Sequence, residues 1–492
     1  MKSEPERIKR TVAIAYFYTL TGQGCNMLFY FFLYKYLPVE DVGLFSLALA
    51  VATFFGFFID LGIYQILIRF YAEYPEDLNT PIVASLIIRL PIFMLGLVIL
   101  LIWNIASNPS KEIVLIIFIA CLIQVSLLVK KFYQSWLRGN SRQNKANLID
   151  ALEGLGWLIV AIVVIVIMQV AGVGLILSYL LLVHIAILLV AIYFTTRERR
   201  KILYIKGSAQ ERGKETIRST IRILLKPGLI FGALGFFTLL QNRLDWVLVS
   251  QIVSNSELAN YSMANKVYEI VMLLIGIATT TAYPWLLSKG RPEGFRIRVE
   301  LFMSLIISFG ITLALLASLY APGFLSGLFG DKYKEANIMV TMIMFGATFA
   351  VISQVLFYLI ISQYFEKYIL PVIILASASQ LAIDLLLIPS FSGMGAIIGM
   401  IYLILIVNIG LTRIAIAKTL MPLKKLKRIY SFLCIMLTIW ALLIYIGIPA
   451  IGGLVIMLSI SIIATNYVLL SNEEKETVKE IYIEAISNRR RK

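Results

Sequence analysis

The sequence is poor in charged residues and in the residues that build catalytic centres. Only 15% of its 492 residues are Asp, Glu, Lys or Arg, against about 25% in soluble domains. A soluble domain with so few charges would expose apolar patches that aggregate. Its three cysteines, Cys25, Cys121 and Cys434, fall in apolar segments, so we expect no disulfide framework. With a single histidine, no metal centre is expected either.

Apolar residues, by contrast, make up 60% of the chain, or about 295 positions. A membrane-spanning helix needs about 20 of them, so fourteen helices of about 21 residues would use nearly all. The apolar runs continue over twenty positions instead of alternating with polar residues, which disfavours a β-barrel. We therefore predict an all-α polytopic membrane protein with about 14 transmembrane helices between residues 12 and 470.

The net charge of +16 is distributed as membrane topology requires. With the N-terminus inside, the inner segments, which include 130–147, contain 35 lysines and arginines, whereas the outer segments contain Lys35, Lys111, Lys332 and Lys334. Basic loops favour the cytoplasmic side. We therefore predict a multi-pass protein with both termini in the cytoplasm and no nucleic-acid partner.

Three short patterns recur in the same chain order at offsets of 216 to 225 residues. The pairs are 41–48 with 257–264, 132–133 with 357–358, and 172–174 with 393–395. Six spans separate the copies, so both have the same orientation, as in transporters built from two parallel bundles. The predicted domains are an N-terminal six-helix bundle at 1–195, a basic cytoplasmic linker at 196–226, a C-terminal six-helix bundle at 227–417, and an accessory helix pair with a cytoplasmic tail at 418–492.

Charged side chains within the spans are expensive to bury, so they are the candidate functional residues. Lys266 and Glu269 lie one helical turn apart near the midplane, beside Asn265. They either bind a substrate phosphate or form an ion pair that only packs the bundles. Arg69 ends the second span, predicted at 43–69. Its guanidinium is suited either to a phosphate or to the headgroups of inner-leaflet lipids.

Five further residues complete the candidate set. Arg243 and Asp245, in the outer half of the seventh span, suit either a structural clamp or a substrate contact. His184 is either a proton carrier or a hydrogen-bonded packing residue, and Asp60 and Asp384 are candidate ion-coupling sites. No cofactor is expected, and the coupling ion would be H⁺ or Na⁺.

Several segments of the sequence resemble the polysaccharide and O-antigen (Wzx-type) flippases of the multidrug/oligosaccharidyl-lipid/polysaccharide exporter superfamily. They are 36–46 (YLPVEDVGLFS), 60–63 (DLGI), 69–73 (RFYAE), 137–139 (LRG), 261–266 (YSMANK), 282–288 (AYPWLLS) and 388–396 (IPSFSGMGA). The resemblance covers essentially the whole chain. It implies a V-shaped pair of six-helix bundles around a central cationic cavity, in the bacterial cytoplasmic (inner) membrane.

The resemblance also implies a substrate and partners. Such flippases move polyprenyl-linked saccharides of the O-antigen, capsule or teichoic-acid type, with a polysaccharide polymerase or glycosyltransferases as partners, and we expect a monomer that contacts membrane lipids and its lipid-linked substrate. Lys266 stands where the related lipid II flippases have a cavity arginine. The first span lacks their other arginine, and Gln23 and Asn26 stand there instead, where we expect them to contact sugar together with Asn265. This departure argues against lipid II as the substrate.

Two alternatives stay open at this point. A cation-coupled multidrug exporter of the same superfamily would need an acidic cavity, with Asp60, Glu269 or Asp384 essential and Lys266 dispensable. A membrane-bound polysaccharide polymerase or ligase would need a substantial outer loop, whereas the longest outer connection here is about 321–335. The sequence therefore favours a transporter over an enzyme.

Overall fold

The structure is a computed structural model in which nearly every residue is helical. It describes residues 4–60, 63–74, 77–107, 110–169, 172–206, 217–286, 293–363, 365–446 and 450–479. Regular structure in these ranges is entirely helical. Eleven stretches within them are long and apolar enough to cross a membrane, and one, Glu300–Ser362, contains two long helices. The prediction of an all-α polytopic membrane protein is confirmed; the count of fourteen spans stays a prediction.

The chain forms two compact units, Met1–Ala259 and Asn260–Lys492. The first unit contains the helices α1 (Glu4–Tyr36), α2 (Val39–Asp60), α3 (Ile63–Glu73), α4 (Asn79–Ser107), α5 (Lys111–Gly139), α6 (Gln143–Val160), α7 (Val173–Lys206) and α8 (Ile217–Ile252). A π-helical turn, Ala161–Ile167, extends α6. In this unit α1 packs on α6, α5 packs on α7, α2 and α3, and α8 packs on α2 and α4.

The remaining helices belong to the second unit, apart from the first turn of α9. They are α9 (Asn255–Leu286), α10 (Glu293–Phe329), α11 (Lys334–Ser362), α12 (Ile369–Phe391), α13 (Gly393–Ala417), α14 (Leu423–Ile446) and α15 (Ala450–Ala464). Here α11 packs on α10 and α13, α12 packs on α13, and α14 and α15 pack on α10. The predicted domain boundaries at 195, 226 and 417 stay a prediction, and residues 207–216 of the linker lie outside the described ranges.

The predicted second span, 43–69, is described in two helical parts, because residues 61 and 62 lie outside the described ranges, and its continuity stays a prediction. α2 ends at Asp60 and α3 begins at Ile63. The apolar residues of α3 fall on one face, since Ile63, Ile66, Leu67, Phe70 and Tyr71 are buried at the spacing of an amphipathic helix. This face joins a core with Trp136 of α5. The apolar face of α3 therefore covers α5.

The predicted inner segment 130–147 is also mostly helical. α5 continues to Gly139 and α6 begins at Gln143, which leaves a connection of three residues. Ser141 in this connection has a left-handed backbone, with φ 58°. The short turn makes α5 and α6 antiparallel neighbours, so basic residues late in α5 face residues early in α6.

The recurring patterns of the sequence occupy corresponding places in the helices. Asp41 is the third residue of α2, and Glu257 is the third residue of α9. The Phe-Tyr pairs lie near the ends of α5 and α11, and the two Gly-X-Gly patterns lie at the starts of α7 and α13. The duplication inferred from sequence is therefore consistent with the order of the helices.

The accessory helices are joined to α10 by buried polar groups. The Lys425 ammonium lies 2.6 Å from the Glu474 carboxylate, and both side chains are almost completely buried. Ser304 of α10 also donates to Glu474. Further along α10, Thr312 bonds Ser461 of α15 at 2.6 Å. The accessory pair is thus attached to the second unit by hydrogen bonds as well as by apolar packing.

Candidate functional site

A polar cavity of about 350 Å³ lies within the first unit, between α1, α5 and α6. The face that α1 turns toward it carries Thr19, Gly22, Gln23 and Asn26, which recur at the three- and four-residue spacing of one helix face. In this way α1 presents two side-chain amides to the cavity. Gln23 and Asn26 both line it, and their expected contact with sugar stays a prediction.

The α1 face lies very close to α6 because both helices carry a glycine at the crossing. A methyl group added at Gly154 would lie 2.2 Å from the carbonyl oxygen of Gly22, and one added at Gly22 would lie 2.9 Å from the carbonyl oxygen of Asp150. Small residues permit such close helix contact in membranes. The cavity therefore has a wall formed largely by backbone at this point.

The opposite wall carries charges that the sequence analysis did not single out. Lys130 and Arg138 project from α5, and Asp150 and Glu153 project from α6. Lys130 pairs with Glu153 and lies 3.5 Å from Asp150. The other oxygen of Asp150 accepts from Arg138 at 3.1 Å.

Neighbouring side chains hold these charges in place. Gln134, one turn from both basic residues, donates to Asp150 at 2.7 Å and to the carbonyl of Ala146 at 3.1 Å. Such compensation is needed because an unpaired charge in a low-dielectric interior is costly. The four charged groups therefore form a connected network with Gln134, and not a set of independent sites.

Aromatic residues and the single histidine lie next to this network. Trp157 lines the cavity and packs edge-to-face on Phe29, with ring centroids 4.8 Å apart. His184 is fully buried against Trp157, with ring centroids 5.8 Å apart, and its Nδ1 lies 3.5 Å from Glu153. His184 therefore contacts the charged network from α7 instead of facing the cavity.

A family model described as "Polysaccharide biosynthesis protein" matches residues 8–289, more than half of the chain and all of the helices around the cavity. The chain belongs to this family. No curated protein sequence matches it. The resemblance identified from the sequence is thereby confirmed at the level of family.

Solved structures show the fold that this chain shares. One titled "Lipid II flippase MurJ, inward closed conformation" has a TM-score of 0.62 and 14% identity over 92% of this chain and 96% of its own. An inward-facing and an outward-facing multidrug resistance MATE family transporter of the MOP superfamily have TM-scores of 0.54 and 0.51. Each is 16% identical over 83% of this chain, and the match covers 95% and 96% of their own chains. At these identities the likeness shows the fold alone.

Elsewhere in the chain, Lys266 and Glu269 form the expected pair on α9. The Lys266 ammonium lies 2.6 Å from the Glu269 carboxylate, and the lysine is largely buried while the glutamate is 42% exposed. Asn265 is buried and donates to the carbonyl of Tyr261 in its own helix. The geometry is compatible with both roles considered for the pair.

The other predicted residues lie in separate surroundings. Arg69 is on the exposed face of α3, and its buried neighbours face α5. The Arg243 guanidinium lies over the Trp246 ring, 4.4 Å from its centroid, and Asp245 is buried and accepts from the Trp246 amide. The side chain of Asp60 lies outside the described part of the structure.

Asp384 is buried on α12 at its contact with α13. A methyl group added at Gly399 would lie 1.9 Å from its Oδ1, and Gln380 and Ser377 are buried on the same helix face. This face is therefore a polar contact between two helices of the second unit.

Proposed function

We propose that the protein is a flippase that moves a polyprenyl-(pyro)phosphate-linked saccharide from the inner to the outer leaflet by alternating access. The observation that carries the proposal is the cavity of charged and amide side chains between α1 and the two candidate membrane-spanning helices α5 and α6. A sugar-phosphate headgroup cannot cross about 30 Å of hydrocarbon unaided. Such a cavity replaces the water contacts of the sugar part of the headgroup while the polyprenyl tail stays in lipid.

The comparisons support this proposal at two levels. The family model is one for polysaccharide biosynthesis, and the first of the similar folds is titled as a lipid II flippase. The absence of an arginine from the first span, where Gln23 and Asn26 stand instead, favours a saccharide lipid other than lipid II.

We assign roles to the candidate residues on their chemistry. Lys266 and Arg69 attract the phosphates, Glu269 orients Lys266, and Gln23, Asn26 and Asn265 contact sugar. Arg243 and Asp245 complete the substrate path from α8. Polar residues within membrane spans ordinarily line such a path or contact one another.

Coupling and location complete the proposal. His184, Asp60 and Asp384 are the candidate groups for coupling to H⁺ or Na⁺; His184 faces Glu153, Lys130 and Trp157. The protein is placed as a monomer in the bacterial inner membrane with cytoplasmic termini. A polymerase or glycosyltransferases would supply and consume its lipid-linked substrate.

The direct test is transport by the purified full chain in proteoliposomes. The probe is an undecaprenyl-pyrophosphate-linked disaccharide with a fluorophore on the sugar, and its leaflet is read with a membrane-impermeant quencher. We expect the quenchable fraction to change with time only in vesicles that contain the protein. A rate equal to that of protein-free vesicles would contradict the proposal.

A cation-coupled multidrug exporter is the second candidate, since two similar folds are titled as multidrug resistance transporters. It predicts ethidium efflux that needs the acidic residues and not Lys266. The pairing of Asp150 and Glu153 with Lys130 and Arg138 weighs against it, because these carboxylates are already compensated.

A further inference from the structure

The cavity of the first unit contains equal numbers of basic and acidic side chains, and this balance disfavours the binding of a charged ligand. Lys130 and Arg138 line it together with Asp150 and Glu153, and each basic group contacts a carboxylate. A phosphate entering this cavity would have to displace a carboxylate from its partner and leave a buried charge unpaired, which is strongly unfavourable. A cation would meet the same obstacle from the basic side. The ligand that disturbs the network least is uncharged.

The cavity nevertheless offers hydrogen-bonding groups that no residue in the described ranges uses. Among the described residues, the side-chain amides of Gln23 and Asn26 have no hydrogen-bond partner. Each amide both donates and accepts. Asp150 is 41% exposed, so its carboxylate can accept further bonds. Adjacent donors and acceptors of this kind match the hydroxyl groups of a sugar, since each hydroxyl also donates and accepts.

One side of the cavity is aromatic and fixed in position. Trp157 lines it with the 8% of its surface that is exposed, because Phe29, Tyr30 and His184 pack on the rest of the indole. An aromatic side chain of this kind provides an apolar body in a polar setting, which suits the C–H face of a pyranose ring.

We propose that this cavity is a subsite for an uncharged sugar of the lipid-linked substrate, with Trp157 against the ring and Gln23, Asn26 and Asp150 on its hydroxyl groups. The proposal rests on the flippase function and refines it, because it separates sugar recognition from phosphate recognition. The cavity volume of about 350 Å³ lies at the lower end of the range for small-molecule sites. It therefore suits one or two sugar rings and not a long oligosaccharide.

The test compares three probes by native mass spectrometry of the full chain in detergent. They are undecaprenyl pyrophosphate, the same lipid carrying N-acetylglucosamine, and the same lipid carrying glucuronic acid. We expect the neutral sugar to tighten binding about tenfold over the bare lipid, as a few well-placed hydrogen bonds allow. Equal binding of the first two probes, or tightest binding of the uronic acid, would overturn the proposal.

Variants of the cavity residues test whether the tighter binding of the sugar-carrying lipid arises in this cavity. The double variant Q23A/N26A and the single variant W157F should each reduce the sugar-dependent gain, measured against the same variant's own affinity for bare undecaprenyl pyrophosphate, to less than about threefold. The control is W440F, since Trp440 belongs to the second unit and bonds Ser318. A full gain in both cavity variants would exclude the subsite.

The same variants also distinguish a failure of the sugar subsite from a failure of the flippase function on which it rests. If wild-type protein moves the lipid-linked probe in vesicles but the sugar gain is unaffected by the cavity variants, the subsite is wrong and the flippase function stands. If no lipid-linked probe is moved by wild-type protein, the flippase function itself fails, and the subsite fails with it.

Discussion

Lys130 of α5 and Glu153 of α6 form an ion pair inside the first unit, and the second oxygen of Glu153 lies 3.5 Å from His184 of α7. Three helices therefore meet at one carboxylate. The pair also fixes the charge balance of the cavity, because Lys130 is almost completely buried and has Asp150 as its other carboxylate neighbour. The cavity described above therefore requires an intact ion pair between Lys130 and Glu153.

The first prediction concerns the coupling between these two residues. K130M and E153Q should each destabilise the protein, because each leaves a partner charge in a poorly solvated position. The double variant should lose less free energy of unfolding than the two single variants lose together, with a coupling free energy of about 1–3 kcal/mol. The measurement is a double-mutant cycle of denaturant unfolding in detergent. Strict additivity would show that the pair contributes nothing.

The second prediction uses the glycine contact between α1 and α6. G154A should destabilise the protein by about 1–3 kcal/mol, as overpacking does, because the new methyl group would lie 2.2 Å from the Gly22 carbonyl oxygen. The matched control is G24A, where nothing lies within 4 Å of the added methyl group. Apparent melting temperatures from size-exclusion profiles of heated samples give the comparison. Equal values for the two variants would show that the helices do not cross this closely.

The third prediction concerns the two roles of Lys266. If this residue binds phosphate, K266Q should reduce transport of the lipid-linked probe at least about tenfold, since a charge-assisted contact is lost. The exposed Lys334 provides a control in K334Q. Expression and size-exclusion profiles show whether each variant is folded.

A charge swap separates that role from simple packing. In K266E/E269K the 2.6 Å ion pair can form again with its ends exchanged. If the pair only packs the helix, the swap should restore transport. If the lysine contacts the substrate, the swapped protein should be folded and inactive, which is the result we expect.

The sequence alone predicted the membrane architecture well because that signal is local. A run of about 20 apolar residues is enough to indicate a spanning helix, and the repeated patterns lie at equivalent helix positions. It also singled out Gln23 and Asn26, whose predicted contact with sugar stays a prediction.

The charged half of the cavity could not be obtained in the same way. Lys130 and Arg138 were assigned to a cytoplasmic loop, because basic residues at the end of an apolar run ordinarily mark topology. The structure keeps α5 helical to Gly139, so their partners are found on the next helix, 12 to 23 residues away. The available signal was periodicity: the polar residues 130, 134 and 138 recur every four positions, opposite the acidic residues 150 and 153.

The fourth prediction concerns the attachment of the accessory helices. The Glu474 carboxylate accepts hydrogen bonds from the Lys425 ammonium at 2.6 and 2.7 Å, from the Ser304 hydroxyl at 3.3 Å and from the Ser471 amide at 2.6 Å. E474Q removes the charge that compensates the buried Lys425, so α14 and α15 should detach more readily from α10. The neighbouring Glu473 is exposed, which makes E473Q the matched control.

Hydrogen–deuterium exchange measures this attachment locally. In E474Q we expect faster exchange in α14 and α15 and unchanged exchange in α5 and α6 of the first unit, because a helix opens locally when the interactions that hold it are weakened. E473Q should exchange as wild type does in all four helices. If E474Q also matched wild type in α14 and α15, the apolar packing on α10 would suffice to hold the pair. The buried ion pair would then have no part in fixing the accessory helices.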